Sequence, residues 1–215
     1  MRSHGDLGKL DMPLMEAGKE LAPPTIGSEQ ERMPEATPTR PEWPYGVPET
    51  RHGNTFASFE RVEAMDAALD RCQSVANGES WCALLVGSPG NGKTHLAIAA
   101  LLTWYEKHHF GTFWKVPRFL PFLRGHVFNE DKSAFDRVAE SYGRGPLLVL
   151  DDFGAHKATE WAGETLYRII DDRYENSAPT IITANVALDA IDPRIVSRMR
   201  QGLVVCEASD YRART

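Results

Sequence analysis

The stretch 87–94 reads GSPGNGKT, and its residue types suit one task, the holding of a polyphosphate. Glycine tolerates backbone angles that other residues avoid, so Gly87, Gly90 and Gly92 let the chain curl until successive N–H groups point inward at phosphate oxygens. Lys93 brings a mobile positive charge for the β and γ phosphates, and Thr94 brings a hydroxyl that can ligate Mg²⁺. Ser88, Pro89 and Asn91 complete the loop and His95 follows it, so Gly87, Ser88, Pro89, Gly90, Asn91, Gly92, Lys93, Thr94 and His95 form the expected nucleotide-binding set.

A second group begins 58 residues beyond Lys93, where the apolar run LLVL at 147–150 leads into Asp151 and Asp152. A carboxylate at the end of a buried strand is what a Mg·nucleotide site requires. Asp151 is expected to hold the Mg²⁺ shell through water, and Asp152 to orient or activate the attacking water. Asn185 follows the run TIIT at 180–183, where its amide could donate to the γ-phosphate or hold that water. Finally, DPRIVSRMRQG places Arg194, Arg198 and Arg200 on or beside one short helix. One of them could enter a neighbouring copy's site and stabilise charge in the transition state.

These groups need a frame, and the hydrophobic pattern supplies one. Strands are expected over 81–86, 112–116, 147–150, 180–183 and 203–207. Helices are expected before the first strand, then over 93–107, 159–176 and 193–200, with two further pieces between 118 and 142 broken by Pro121 and Gly125. Strands that alternate with helices give a parallel α/β sheet of five strands, with ligand at their carboxyl ends.

The formal net charge of −6 leaves no global basic field to draw the protein to duplex DNA or an anionic membrane. No apolar run approaches a membrane span, and the N-terminus lacks the apolar segment of a signal peptide, so a cytoplasmic protein with no membrane partner is expected. Cys72, Cys82 and Cys206 are widely spaced and suit buried reduced thiols. Eight of the fourteen prolines fall before residue 55. That composition predicts a largely disordered proline-rich arm over 1–54, with a short helix near 10–21 and an aromatic island at Trp43 and Tyr45, followed by one globular domain over 55–215.

The strings GSPGNGKTHLAIAA, LLVLDDFG, IIDDRYEN, IITAN and RIVSRMRQG together resemble the AAA+ ATPases of the DnaC-type bacterial and phage helicase loaders and the related IstB transposition helper ATPases. The resemblance covers residues 55 to the C-terminus and implies a P-loop NTPase, an AAA+ core without a C-terminal helical lid domain. It implies that Lys93 and Thr94 belong to Walker A, Asp151 and Asp152 to Walker B, that Asn185 is sensor 1 and Arg198 the arginine finger, and that Arg194 or Arg212 serves as sensor 2. It further implies ATP and Mg²⁺ as cofactors, self-association through Arg198, and two partners, single-stranded DNA and a hexameric replicative helicase. In such loaders the helical insertion before Walker B touches single-stranded DNA. The matching stretch here runs from Lys115 to about Arg137 and interleaves Lys115, Arg118, Arg124 and Lys132 with Phe119, Phe122 and Phe128; Arg118 and Arg124 are the candidate DNA contacts.

Two departures bear on function. Asp152 stands where many AAA+ proteins have Glu, which shortens the reach to water, and the arm has neither a cysteine cluster nor a helical bundle for a helicase. A transposition helper ATPase therefore stands as the alternative to a loader, beside a nucleotide-dependent adaptor with little hydrolysis. A small-molecule kinase would need an acceptor pocket and an arginine-rich lid, which the sequence does not supply.

Overall fold

Five short strands, β1 (Cys82–Gly87), β2 (Thr112–Lys115), β3 (Leu148–Phe153), β4 (Thr180–Ala184) and β5 (Leu203–Cys206), run parallel in the order β2-β3-β4-β1-β5. The computed structural model describes residues 42–127, 132–155 and 159–210, with the side chains of 126, 127 and 132–135 excepted. The expected helix near 10–21, Phe128, the side chain of Lys132 and Arg212 lie outside the described residues.

Helices cover both faces of the sheet, which is why the strands are apolar on both sides. On one face Ala83, Leu85, Val149 and Ile181 pack against α1 (Asp66–Ala76) and α2 (Lys93–His108). On the other, Leu84, Val86, Leu148, Leu150 and Ile182 pack against α3 (Val116–Val127), α5 (Glu160–Glu175) and α6 (Pro193–Met199). A further helix, α4 (Lys132–Arg144), contributes Ala139 to this second layer. Thr159 caps α5 by accepting the Ala162 N–H, and Asp192 caps α6 by accepting the Arg194 N–H.

Pro121 and Gly125 do not break the chain as expected; both lie inside α3. Val116, Phe119, Leu120 and Leu123 recur at helical spacing and are all buried, so packing of this face overrides two poor helix formers. Phe119 thus belongs to the core and is not available to DNA. β3 is also longer than the apolar run, because it includes Asp151, Asp152 and Phe153.

The last residues assigned by sequence to the arm are an edge of the domain. The Phe113 N–H donates to the Tyr45 carbonyl at 2.8 Å, and Tyr45 bridges Thr112 in parallel, so this segment shields the outer side of β2. Gly46 follows with φ +87°, where a Cβ would lie 2.0 Å from the Phe113 oxygen. Pro44 and Val47 are buried beside it, and Trp43 stacks on His52 at 4.1 Å.

Arg173 of α5 is fully buried with no carboxylate partner among its contacts. Its guanidinium donates to the carbonyls of Tyr142, Gly145, Pro146 and Pro179 and to Thr180 Oγ1, joining the end of α4 to the starts of β3 and β4. Burial lowers its hold on its proton to about 9, which still leaves it charged at neutral pH. The three cysteines are buried free thiols, and burial pushes Cys82 up to about 12 and Cys206 up to about 11.

Candidate nucleotide site

Alternation along the strands decides which side chains meet. Val149 and Ile181 face the α1/α2 layer, so Asp151 and Thr183, two residues further along each strand, face the first turn of α2. There Thr94 Oγ1 and Thr183 Oγ1 both donate to Asp151 Oδ1, each at 2.7 Å. Asp151 is buried, and these two hydroxyls satisfy an oxygen that burial would otherwise penalise.

Simple alternation would turn Asp152 to the opposite face. A bulge prevents this: Leu150 pairs with Ile182 and Phe153 with Ala184, so β3 spends three steps where β4 spends two. Asp152 takes the left-handed conformation, φ +58°, which a short polar side chain tolerates best. Its N–H donates to Thr183 Oγ1 at 3.3 Å, so one threonine both pins the bulge and holds Asp151. The two carboxylates consequently share one cleft.

Both oxygens of Asp152 are engaged. Asn185 Nδ2 donates to Oδ1 at 3.1 Å, and Lys115 Nζ lies 2.9 Å from Oδ2 and 3.8 Å from Asp151 Oδ2. Lys115 was grouped by sequence with the DNA-facing stretch, but β2 pairs with β3 in a register that sets Lys115 opposite Asp151. Thr183 and Lys115 join the acid pair without belonging to any of the sequence motifs, and Arg51, Ser58, Phe59 and Glu60 join the cleft in the same way. Its position two residues beyond Ile181 on the same face marks Thr183, whereas Lys115 becomes visible only once the strand order is known.

The phosphate-loop lysine is folded onto its own loop. Lys93 Nζ donates to the Gly87 carbonyl at 2.9 Å, the Ser88 carbonyl at 2.6 Å and Asn91 Oδ1 at 2.9 Å. Only 3% of Lys93 is exposed, and burial holds its pKa below the ordinary lysine value. Asn91, fully buried, donates its amide to the Cys206 carbonyl at 3.1 Å and so ties the loop to β5. Gly87 is obligatory for the same contact, since a Cβ there would lie 2.2 Å from the Cys206 oxygen.

The cleft between loop and acids is about 540 Å³. A buried ammonium with no carboxylate among its hydrogen-bond partners, on a loop whose Gly87, Gly90 and Gly92 all take positive φ, fits an incoming polyphosphate. Thr94 and Asp151 present hard oxygen donors, and no cluster of three or more His, Cys, Asp or Glu occurs among the described residues. That donor set fits Mg²⁺, which keeps several waters and takes one or two carboxylates plus phosphate oxygens. Across the cleft the wall is made by Arg51, Ser58, Phe59 and Glu60. His95 turns its ring toward that side, with Nε2 2.8 Å from the Thr55 carbonyl.

The remaining candidates lie outside the residues that line the cleft. Arg198 Nε donates to Asp171 at 2.6 Å, with its guanidinium over the Tyr174 ring at 4.9 Å. Arg194 is bound by Asp192 and Glu164 and covers the Tyr167 ring at 4.2 Å, so within one chain it is engaged away from the phosphate loop. Arg200 is exposed. On α3, Arg118 is exposed and Arg124 lies over the Trp161 ring at 4.6 Å. No helix among the described residues is long and apolar enough to cross a membrane.

Comparison with known proteins places the family and the fold. The family model described as IstB-like ATP binding protein matches residues 55–195. An insertion-sequence protein of Mycobacterium tuberculosis assigned to ATP binding is 36% identical over 110 residues, covering 51% of this chain and 42% of that one. The replicative helicase loader DnaI of Bacillus subtilis is 26% identical over 145 residues, covering 63% and 46%. Among solved structures, that of the DnaC helicase loader superposes with a TM-score of 0.63 at 27% identity, over 75% of this chain and 100% of that one. The chain spans about half the length of the curated relatives it matches.

Proposed function

The chain belongs to the IstB-like ATP-binding proteins, and from that premise we propose that it is a Mg²⁺-dependent ATPase switch of the helicase-loader kind, acting in the cytoplasm on single-stranded DNA and a replicative helicase. The observation that carries the ATPase half is the bulge at Asp151 and Asp152, which turns two consecutive carboxylates toward a lysine-bearing phosphate loop. On binding ATP, Lys93 exchanges its loop acceptors for β and γ phosphate oxygens. Thr94 and Asp151 would hold Mg²⁺, which would supply neutralisation of the charge on the phosphates. Asp152 accepts a proton from the attacking water that Asn185 helps position, and the terminal phosphoryl group passes to that water.

Arg198 lies beyond its own cleft, and its role is to leave Asp171 and meet the nucleotide of a second copy. Support for the loader reading comes from the DnaC and DnaI helicase loaders among the similar proteins and from the exposed Arg118 and Arg124 on α3, the helix that follows directly on Lys115. A transposition helper is favoured instead by the insertion-sequence relative at 36% identity. A weakly hydrolysing adaptor is favoured by the Lys115 contact, which occupies the candidate base.

One experiment separates these readings. The whole chain, loaded with ATP, is used for affinity capture and its phosphate release is measured with and without single-stranded DNA. Recovery of a hexameric helicase with DNA-stimulated release supports a loader. Recovery of a transposase instead establishes the helper, and binding without turnover under every condition establishes the adaptor.

A further inference from the structure

The residue after Walker A is not accounted for by phosphate chemistry. His95 sits in the first turn of α2, yet its ring faces the opposite wall of the cleft. Nε2 lies 2.8 Å from the Thr55 carbonyl and 3.4 Å from Ser58 Oγ, and the ring meets Phe59 edge to face at 5.3 Å. The structure it grips is a small self-contained turn. The Thr55 N–H donates to Ser58 Oγ at 2.9 Å, the Ser58 N–H donates to Thr55 Oγ1 at 3.1 Å, and Ser58 Oγ donates to the Gly53 carbonyl at 2.6 Å. Such a turn fixes its own shape; its place on the domain comes from Phe56 and Phe59, which pack on the core, and from the polar contact with His95.

Its place matters because Ser58, Phe59 and Glu60, with Arg51 just before the turn, line the same cleft as the phosphate loop and the acids, and His95 touches this turn and not the acids. With the phosphates fixed at Lys93 and Thr94 and their terminal end directed to the acids, the nucleoside half must lie toward this wall. The His95 bond to the Thr55 carbonyl is a polar contact between wall and floor of the cleft, and the ring packing on Phe59 reinforces it.

We infer that His95 is a positioning residue that latches the wall 53–60 onto the phosphate-loop helix and so sets the affinity for the nucleoside half of ATP, as distinct from its phosphates. This rests on the nucleotide reading above. To donate to a carbonyl His95 must carry its proton on Nε2, which leaves Nδ1 as the acceptor in the neutral ring. Glutamine, whose terminal amide nitrogen occupies a similar position, can make the same donation; alanine cannot.

The test uses the full chain and two probes, ATP and inorganic tripolyphosphate with Mg²⁺, whose binding is measured calorimetrically for wild type, His95→Ala and His95→Gln. His95→Ala is expected to weaken ATP about five- to tenfold, the scale of one lost hydrogen bond with its packing, and to change tripolyphosphate by less than about twofold. His95→Gln is expected to restore most of the ATP affinity. Equal weakening of both probes, or weakening of neither, overturns the latch, as does failure of the glutamine variant to recover ATP binding when it is folded. Wild-type protein that binds neither probe overturns the nucleotide reading and the latch with it, whereas wild type that binds both equally tightly overturns the latch alone.

Discussion

Lys115 Nζ lies 2.9 Å from Asp152 Oδ2, so the candidate base is neutralised by a cation from the adjacent strand before any ligand arrives. While that contact stands, Oδ2 is occupied, and Asn185 holds the other oxygen, so neither is open to an attacking water. Lys115 is about two-fifths exposed and ends β2 immediately before α3, so movement of α3 would withdraw it. Lys115→Met is therefore expected to raise basal phosphate release about three- to tenfold and to reduce further stimulation by single-stranded DNA. A steady-state phosphate assay with and without DNA checks both.

Thr183 spans the bulge through two hydrogen bonds. Thr183→Val keeps the shape and removes both, so Asp152 loses its fixed direction. Turnover should fall about ten- to a hundredfold while ATP binding changes little. Asp152→Asn removes the base itself and should cost at least about a hundredfold. Single-turnover hydrolysis beside a binding isotherm separates these effects.

The pH dependence of binding follows from Lys93. Its pKa is lowered from the ordinary 10.5 chiefly by burial, so in the free protein the ammonium is lost at a lower pH than an exposed lysine would lose it. Polyphosphate requires the charged form. ATP affinity should be flat near neutrality and fall as pH rises through that lowered pKa, at a pH below 10.5. The opposite sign applies to folding without ligand: the charged form is penalised in the folded state, so stability rises as pH climbs through the lowered pKa toward the unfolded value. Lys93→Arg, which stays charged, should lose the alkaline decline in binding. Isotherms across neutral and alkaline pH provide the measurement.

Arg173 makes a structural prediction. Arg173→Leu leaves the carbonyls of Tyr142 and Pro146 without this donor, whereas Pro179 keeps the Leu148 N–H, and unsatisfied buried groups cost about 1–3 kcal/mol each. A loss of about 3 kcal/mol or more is expected in urea unfolding, with no specific effect on nucleotide affinity in protein that remains folded.

Arg198→Ala should spare ATP binding and remove stimulated hydrolysis. Mixed with Lys93→Ala, which keeps the arginine but not the phosphate contact, it should recover part of its activity. Recovery in the mixture but in neither variant alone is the signature of a finger supplied by a second copy.

Much of this architecture is legible in the residues. The phosphate loop, the acid pair and Asn185 announce themselves because each follows an apolar strand at a fixed offset, and period-two burial is a local property. What stayed hidden depends on neighbours distant in sequence. Lys115 reads as one basic residue among several until β2 is set beside β3. The bulge cannot be seen in LLVLDDFG, where two aspartates read alike although one is buried between two hydroxyls and the other is held in a left-handed turn. Pro121 misled for the converse reason, since a local rule against proline gave way to four buried apolar neighbours on the same helix.

The contact between Tyr45 and Phe113 also governs how this protein can be handled. β2 is an outermost strand, and an outermost strand with free N–H and C=O groups is a template for unintended pairing between molecules. Tyr45 occupies part of that template. A chain trimmed to begin at Thr55 would lose this cover together with Pro44 and Val47, and its aggregation would pass for the loss of a partner-binding arm. Cutting before Glu42 keeps the strand protected, so the solubility of the two truncations should differ even where their nucleotide sites are the same.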